Sequence, residues 1–388
     1  MLITGCAPDD DPAQLASPGI TAEAVTLGMS TALSGPGEPR GSCAAAGLEA
    51  YLEARNAQGG FPFGDGRTRL VDLIHLDDAD DPERALANFR RLINEGMFAY
   101  VAAPGVATNL AIRRTANEER IPQVLLLTAA DALAGDPATF PWTRGLLPTL
   151  AEEATAFGGF LADASEPMTV AVLAPEGIVE DLADALATSG VRVVGKLPYP
   201  PTGEPVDPQV AALAATEADA LLISAADPAL QGEVLATARE LGWLPRILLP
   251  SSAPRPPGGI TSGRAGDFPA VYTFAIAKDP RSPAVSDDDD VRAYADAFGQ
   301  FGVPIADEFT PECAWSYAAG AVLERAFLGM AEPTREAFLD ALPAARGLKP
   351  PMLADGVVVE VPASSPVISG GELVQYDGAG LVPAASLG

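Results

Sequence analysis

Strand-like and helix-like segments alternate along this chain, and that alternation narrows its folds more than any single motif. Val25, Leu27 and Met29 occupy every second position, as a half-buried strand requires. The loop Ser34-Gly35-Pro36-Gly37 breaks the pattern, and a helix follows with Ala44, Leu48, Tyr51, Leu52 and Arg55 at helical spacing. A strand over 70–76 leads to a helix that aligns Ala85, Leu86, Phe89, Leu92 and Ile93, with Pro82 in its first turn, where a missing N–H costs nothing. A strand at 99–102, a helix from about Thr108 and a strand at 124–127 complete this run. The order then repeats: strands at 169–173, 191–197, 220–224 and 247–249 alternate with helices at 179–187, 208–215 and 229–241. Such βαβα order implies parallel sheets covered by helices on both faces. With 388 residues the chain exceeds one compact core, so the two runs read as two α/β, Rossmann-like lobes.

The last third is less regular. A strand is expected at 271–276, helices at 290–301, 313–327 and 334–342, and late strands at 357–361 and 372–376. Stretches rich in Pro and Gly at 199–208 and 251–266 read as surface loops. The acidic run 287–290 suits a solvated helix start, where the macrodipole favours carboxylates; cation binding is the alternative.

Charge excludes one class of partner. The 52 acidic against 24 basic residues leave −28, a surface that repels phosphate backbones, so no nucleic acid is expected to bind. Basic groups are nearly all arginine, consistent with codon bias or with adaptation to salt. No apolar run is long enough to span a bilayer. Near the N-terminus, Ile3-Thr4-Gly5-Cys6 is similar to the lipobox of bacterial lipoproteins, and the acidic, Pro-containing stretch 7–18 reads as a flexible tether. Residues 1–20 are therefore set apart as lipobox and tether, although no basic or long apolar segment precedes Cys6. Cys43 and Cys313 remain as an even pair, either joined in an oxidising compartment or standing as two buried thiols.

Chemistry-bearing constellations are missing from the sequence. The single histidine, His75, falls inside a predicted strand and reads as structural. His or Cys metal sites fail on count, and neither a nucleophile elbow nor a phosphate loop occurs. The chain is read as no enzyme, needing no cofactor and no metal. In open α/β sheets ligands collect beyond the carboxyl ends of parallel strands, near helix N-termini. Those ends fall at 34–41, 104–109 and 128–131 in the first run, and at 174–177 and 225–228 in the second.

Several short segments, in order and spacing, carry a resemblance. Leu33-Ser34-Gly35-Pro36 is followed by Ala50-Tyr51, Asn56-Ala57-Gln58-Gly59-Gly60 and Asp77-Asp78 with Pro82. Thr108-Asn109-Leu110-Ala111-Ile112, Ile121-Pro122-Gln123, Pro141-Trp142-Thr143, Glu153-Ala154, Lys278-Asp279-Pro280 and Pro351-Met352-Leu353 continue the series. Over about 20–383 the chain resembles the type I periplasmic solute-binding proteins of the branched-chain amino-acid (leucine/isoleucine/valine) transporter class.

That resemblance implies two Rossmann-like lobes with parallel sheets joined by a three-strand hinge, roughly 21–142 plus 273–345 and 143–272 plus 346–388. It implies an extracytoplasmic monomer that captures an amino acid or other small carboxylate by hinge closure and delivers it to ABC permease subunits. Membrane contact would run only through a lipid on Cys6. The same fold serves ligand-sensing modules, which is the alternative; an α/β enzyme is a more distant one. Family ligand positions fall on Ser34 and its loop, Thr108-Asn109 and Thr128-Ala129-Ala130. In the second lobe the sequence departs: Ala174-Pro175-Glu176-Gly177 replaces an aromatic-Gly pair, and Leu230, with Asp227 nearby, stands where an amine-holding acid is usual. Arg40 replaces a common aromatic, offering a planar fork to a carboxylate or else pairing with a neighbouring acid such as Glu38.

Overall fold

A computed structural model describes residues 16–200, 204–225, 227–253, 268–280, 282, 285–301, 310–362, 366–376, 381–384 and 387. Cys6 and most of the 251–266 loop lie outside the described residues. Two seven-stranded sheets form the frame. In the first, β1 (Ala24–Thr31) runs parallel between β3 (Thr68–Asp77) and β4 (Ala99–Val101), followed by β5 (Gln123–Leu126) and β7 (Phe140–Gly145). The short β2 (Phe61–Pro62) and β6 (Gly135–Asp136) close its edges antiparallel. In the second, β9 (Arg192–Pro198), β8 (Thr169–Ala174), β10 (Ala220–Ile223), β11 (Arg246–Leu249) and β12 (Val271–Ala275) are parallel neighbours. Antiparallel β15 (Glu372–Tyr376) and β16 (Leu381–Pro383) extend it. The central strands are buried on both faces, which is why 124–126 and 220–223 read as continuous apolar runs.

Helices start where the sequence supplies donors with partners. Asp81 accepts from the N–H groups of Glu83 and Arg84 to open α2 (Pro82–Asn94), and Pro82 fills the first turn. Asp227 does the same for α8 (Pro228–Glu240). Thr149 and Glu152 form a reciprocal capping box at α5 (Leu150–Ala162). This helix and β7 lie in a stretch where the sequence reading placed no element.

Helix α1 (Glu38–Ala57) packs on α10 (Pro311–Gly329), a helix buried along most of its length. Both are rich in Ala and Gly, so their backbones approach closely; a Cβ on Gly47 would collide with the carbonyl of Cys313. Cys43 and Cys313 are joined as a disulfide between these helices, with Cα atoms 4.6 Å apart. Helix α9 (Asp289–Phe301) also packs on α1. The acidic run that opens it holds Lys278, whose Nζ lies 2.7 Å from Asp288 and 3.5 Å from Asp290. Its carboxylates thus anchor a lysine.

The chain passes between the sheets three times. The first crossing leaves β7, and the carbonyls of Gly145 and Leu146 accept from Val367 and Ile368 of the third. The second follows β12; Ile276 accepts from Ala354, and Lys278 donates to Met352. The third returns from α11 (Arg335–Ala341) through the hairpin β13 (Val357–Val359) and β14 (Ile368–Gly370) to β15. Three strands tied to one another by backbone hydrogen bonds make the hinge between two lobes. Val361, expected inside a strand, has φ 47°, so the strand stops at Val359.

Candidate functional site

Every segment singled out at a strand end does follow the carboxyl end of a parallel strand. Residues 34–41 follow β1, 104–109 follow β4 and 128–131 follow β5; 174–177 end β8, and the described residues of 225–228 follow β10. The loop after β1 meets the acids of the β3 turn. The Asp77 carboxylate accepts from the Leu33 amide at 2.9 Å, the Ser34 hydroxyl at 2.7 Å and the Ala79 amide at 3.0 Å, and pairs with Arg84. Partial burial pushes its pKa up, but these donors outweigh that and bring it down to about 2. Asp78 is buried and pushed upward by desolvation, although the Ser30 hydroxyl donates to it at 2.8 Å. Asp80 lies against the loop at Gly37, where a Cβ would strike its carboxylate. Glycine there lets the loop close over the acid.

Arg40 sits in the first turn of α1. Its Nε donates to Oε1 of Glu312 at 2.9 Å, an acid in the first turn of α10. The arginine side chain is 38% exposed while the glutamate is 3% exposed. Burial lowers the guanidinium pKa, yet Glu312 and then Asp80 raise it further, so the net direction is up. Glu312, not Glu38, is thus the partner, and Glu38 instead accepts from the Ser42 hydroxyl. Among the described residues the two terminal nitrogens of Arg40 have no hydrogen-bond partner.

Thr108 and Asn109 are buried. Asn109 Nδ2 donates to the carbonyls of Ala103, Pro104 and Gly105 at 3.1, 3.1 and 2.6 Å, and the side chain of Gln123 donates to the Asn109 carbonyl at 3.0 Å. The amide therefore shapes the loop and leaves backbone, not its own side chain, for a ligand. Asn109→Ala is expected to cost about 2–3 kcal/mol, since it strips donors from buried carbonyls. Chemical denaturation checks this; a change below about 0.5 kcal/mol would show that water replaces the amide.

Thr128 is buried and its oxygen accepts from the Ala130 amide at 3.3 Å. The Ala129 carbonyl accepts from Leu150, which ties this first-lobe segment to the start of α5. In the second lobe Glu176 is exposed beyond β8, and Asp227 is spent in part on capping, accepting from Ala229 at 2.8 Å. Glu153, which the sequence marks only as part of a resemblance, is a buried acid on α5 that accepts from the amide and hydroxyl of Ser251 at 2.7 and 2.5 Å, fastening α5 to the end of β11. The capping pattern of Thr149 with Glu152 marks the helix in sequence, but nothing local marks its partner.

The site offers hydroxyls, backbone amides and one guanidinium. Among the described residues no group of three or more His, Cys, Asp or Glu side chains is placed to hold a metal ion. No helix among them is long and apolar enough to cross a membrane.

Comparison with known proteins follows the same lines. A family model described as periplasmic binding protein matches residues 24–357. Curated proteins give no sequence match. Among solved structures, a branched-chain amino-acid ABC transporter protein from Thermus thermophilus with bound valine superposes with TM-score 0.74 at 16% identity, over 94% of this chain and 96% of that one. A fatty acid ABC transporter substrate-binding protein from Thermomonospora curvata gives 0.72 at 19%, over 96% and 94%. A leucine-binding protein from Thermotoga maritima gives 0.67 at 16%, over 93% and 98%. At these identities the likeness is one of fold.

Proposed function

The chain belongs to the periplasmic binding proteins of type I, a family of extracytoplasmic solute-binding proteins, and from that premise we propose that it captures an amino acid or other small carboxylate between its lobes and delivers it to an ABC permease. One observation carries this reading. Two sheets end their parallel strands in loops of small and hydroxyl residues, and three hydrogen-bonded crossings link them as a hinge. The lobes are drawn at about 21–142 plus 273–345 and 143–272 plus 346–388, as the resemblance suggests. Ser34, the free end of Arg40 and the backbone around Thr108, Asn109 and Thr128-Ala129-Ala130 hold the solute from the first lobe. Glu176 and the loop at Asp227 meet it from the second. Arg40 supplies the attraction that an anionic group needs on a chain of net charge −28. The protein works as a monomer.

A panel of amino acids, small aliphatic acids and aromatic acids, screened by thermal unfolding, is expected to contain a stabiliser, because a ligand bound only to the folded state raises the melting temperature. Failure of every carboxylate, with stabilisation by an uncharged solute, would overturn the ligand class. Cys6 acylation belongs to the same proposal. Expressed with its native upstream region, the protein should enter the detergent phase and Cys6→Ala should not; equal partitioning would remove the anchor.

A further inference from the structure

Between β7 and α11 lies an open pocket of about 330 Å³, lined by Pro141, Trp142, Arg144, Glu336, Leu339, Asp340 and Leu342. Its volume is at the lower end for small-molecule sites. The α11 wall is one stripe: Glu336, Leu339 and Asp340 stand at i, i+3 and i+4, so two carboxylates flank a leucine. Both acids are exposed; Glu336 acts electrostatically on neighbouring Arg335, and among the described residues neither acid forms a salt bridge. The facing wall comes from β7, where Trp142 is half-buried beside Pro141. The guanidinium of Arg144 is committed to the hinge, where its Nη1 donates to the carbonyl of Pro362. Two carboxylates against one guanidinium leave the lining net negative, and with an indole and two leucines it is complementary to a positive charge on a compact hydrocarbon body.

We propose that this pocket is a second ligand site, for a small organic cation such as a substituted ammonium, separate from whatever the cleft between the lobes holds. The cation lies between the Trp142 ring and the carboxylates of Glu336 and Asp340, and its apolar body covers Leu339 and Leu342. The site adjoins the hinge directly. Trp142 and Arg144 belong to the strand that becomes the first crossing, and Arg144 grips the third at Pro362.

Benzyltrimethylammonium is the probe, titrated into the full chain and followed by calorimetry and by tryptophan fluorescence. Saturable binding at one site per chain is expected, with a change in emission that Trp142→Leu removes. The exposed pair Glu336→Gln/Asp340→Asn should weaken binding about tenfold or more while leaving the melting temperature near wild type. A control of equal charge change, Glu233→Gln/Glu240→Gln on the exposed side of α8, should leave affinity within about twofold. No saturation, or equal weakening by the two pairs, would show only diffuse attraction of a cation to an acidic surface and would overturn the proposal. So would binding that survives loss of both Glu336 and Asp340.

Discussion

Replacing Cys43 and Cys313 together by alanine is expected to lower the stability of the chain by about 3–5 kcal/mol. The bond closes a loop with a sequence separation of 270 residues, and the unfolded chain's lost freedom grows with the logarithm of that length. Native packing works in the same direction. Both cysteines are fully buried between α1 and α10, and the Cys43 sulfur also contacts the carbonyl of Thr310 at 3.5 Å. Alanine fits the space without a buried polar group, so the loss reports the cross-link and a small cavity. Urea unfolding of the oxidised wild type against the double variant measures it. A difference under about 1 kcal/mol would mean that the unfolded chain keeps these helices together without the bond.

The second large effect concerns Arg40 and is asymmetric. Arg40→Ala should cost about 3 kcal/mol, because it leaves the Glu312 carboxylate buried and without its cation. Glu312→Gln should cost about 1 kcal/mol: the guanidinium left behind is over a third exposed and can be hydrated, and the amide oxygen still accepts from Nε. Exchanging both for apolar residues, Arg40→Met with Glu312→Leu, should recover part of the single loss. Equal costs for the two single changes would show that Glu312 stays hydrated. This asymmetry bears on ligand binding. An affinity change in Arg40→Ala counts toward a carboxylate contact only at temperatures where that variant is folded. Arg40→Lys, which keeps the charge but loses the fork, is the cleaner comparison.

Much of this architecture is legible in the sequence because it is encoded locally. Alternation at Val25, Leu27 and Met29 marks β1, and Asp81-Pro82 marks the start of α2; both need only their neighbours. The stretch holding β7 and α5 carries weaker local signals. Phe140–Gly145 mixes buried and half-buried residues with two prolines' worth of turn signal nearby, and α5 announces itself only through its Thr149-x-x-Glu152 cap. Long-range pairings are a different matter. Arg40 meets Glu312 across 272 residues, and Glu153 meets Ser251 across 98. Each of these side chains has many equivalent acids or hydroxyls in the chain, so only the fold selects the partner. The same limit applies to Asn109. Its position at a strand end suggested a ligand contact, whereas its side-chain nitrogen is taken up by three loop carbonyls.

Closure of the lobes on a solute is read as a distance across them. Val106, exposed shortly after the end of β4, and Glu176, exposed beyond β8, follow parallel strands of the two sheets. Spin labels on Val106→Cys and Glu176→Cys, with the Cys43–Cys313 bond intact, report the distance across the cleft by pulsed electron resonance. With a carboxylate that stabilises the protein in the thermal screen, the distribution is expected to shift to shorter distances and narrow. A confirmed stabiliser that leaves the distribution unchanged would contradict capture by hinge closure.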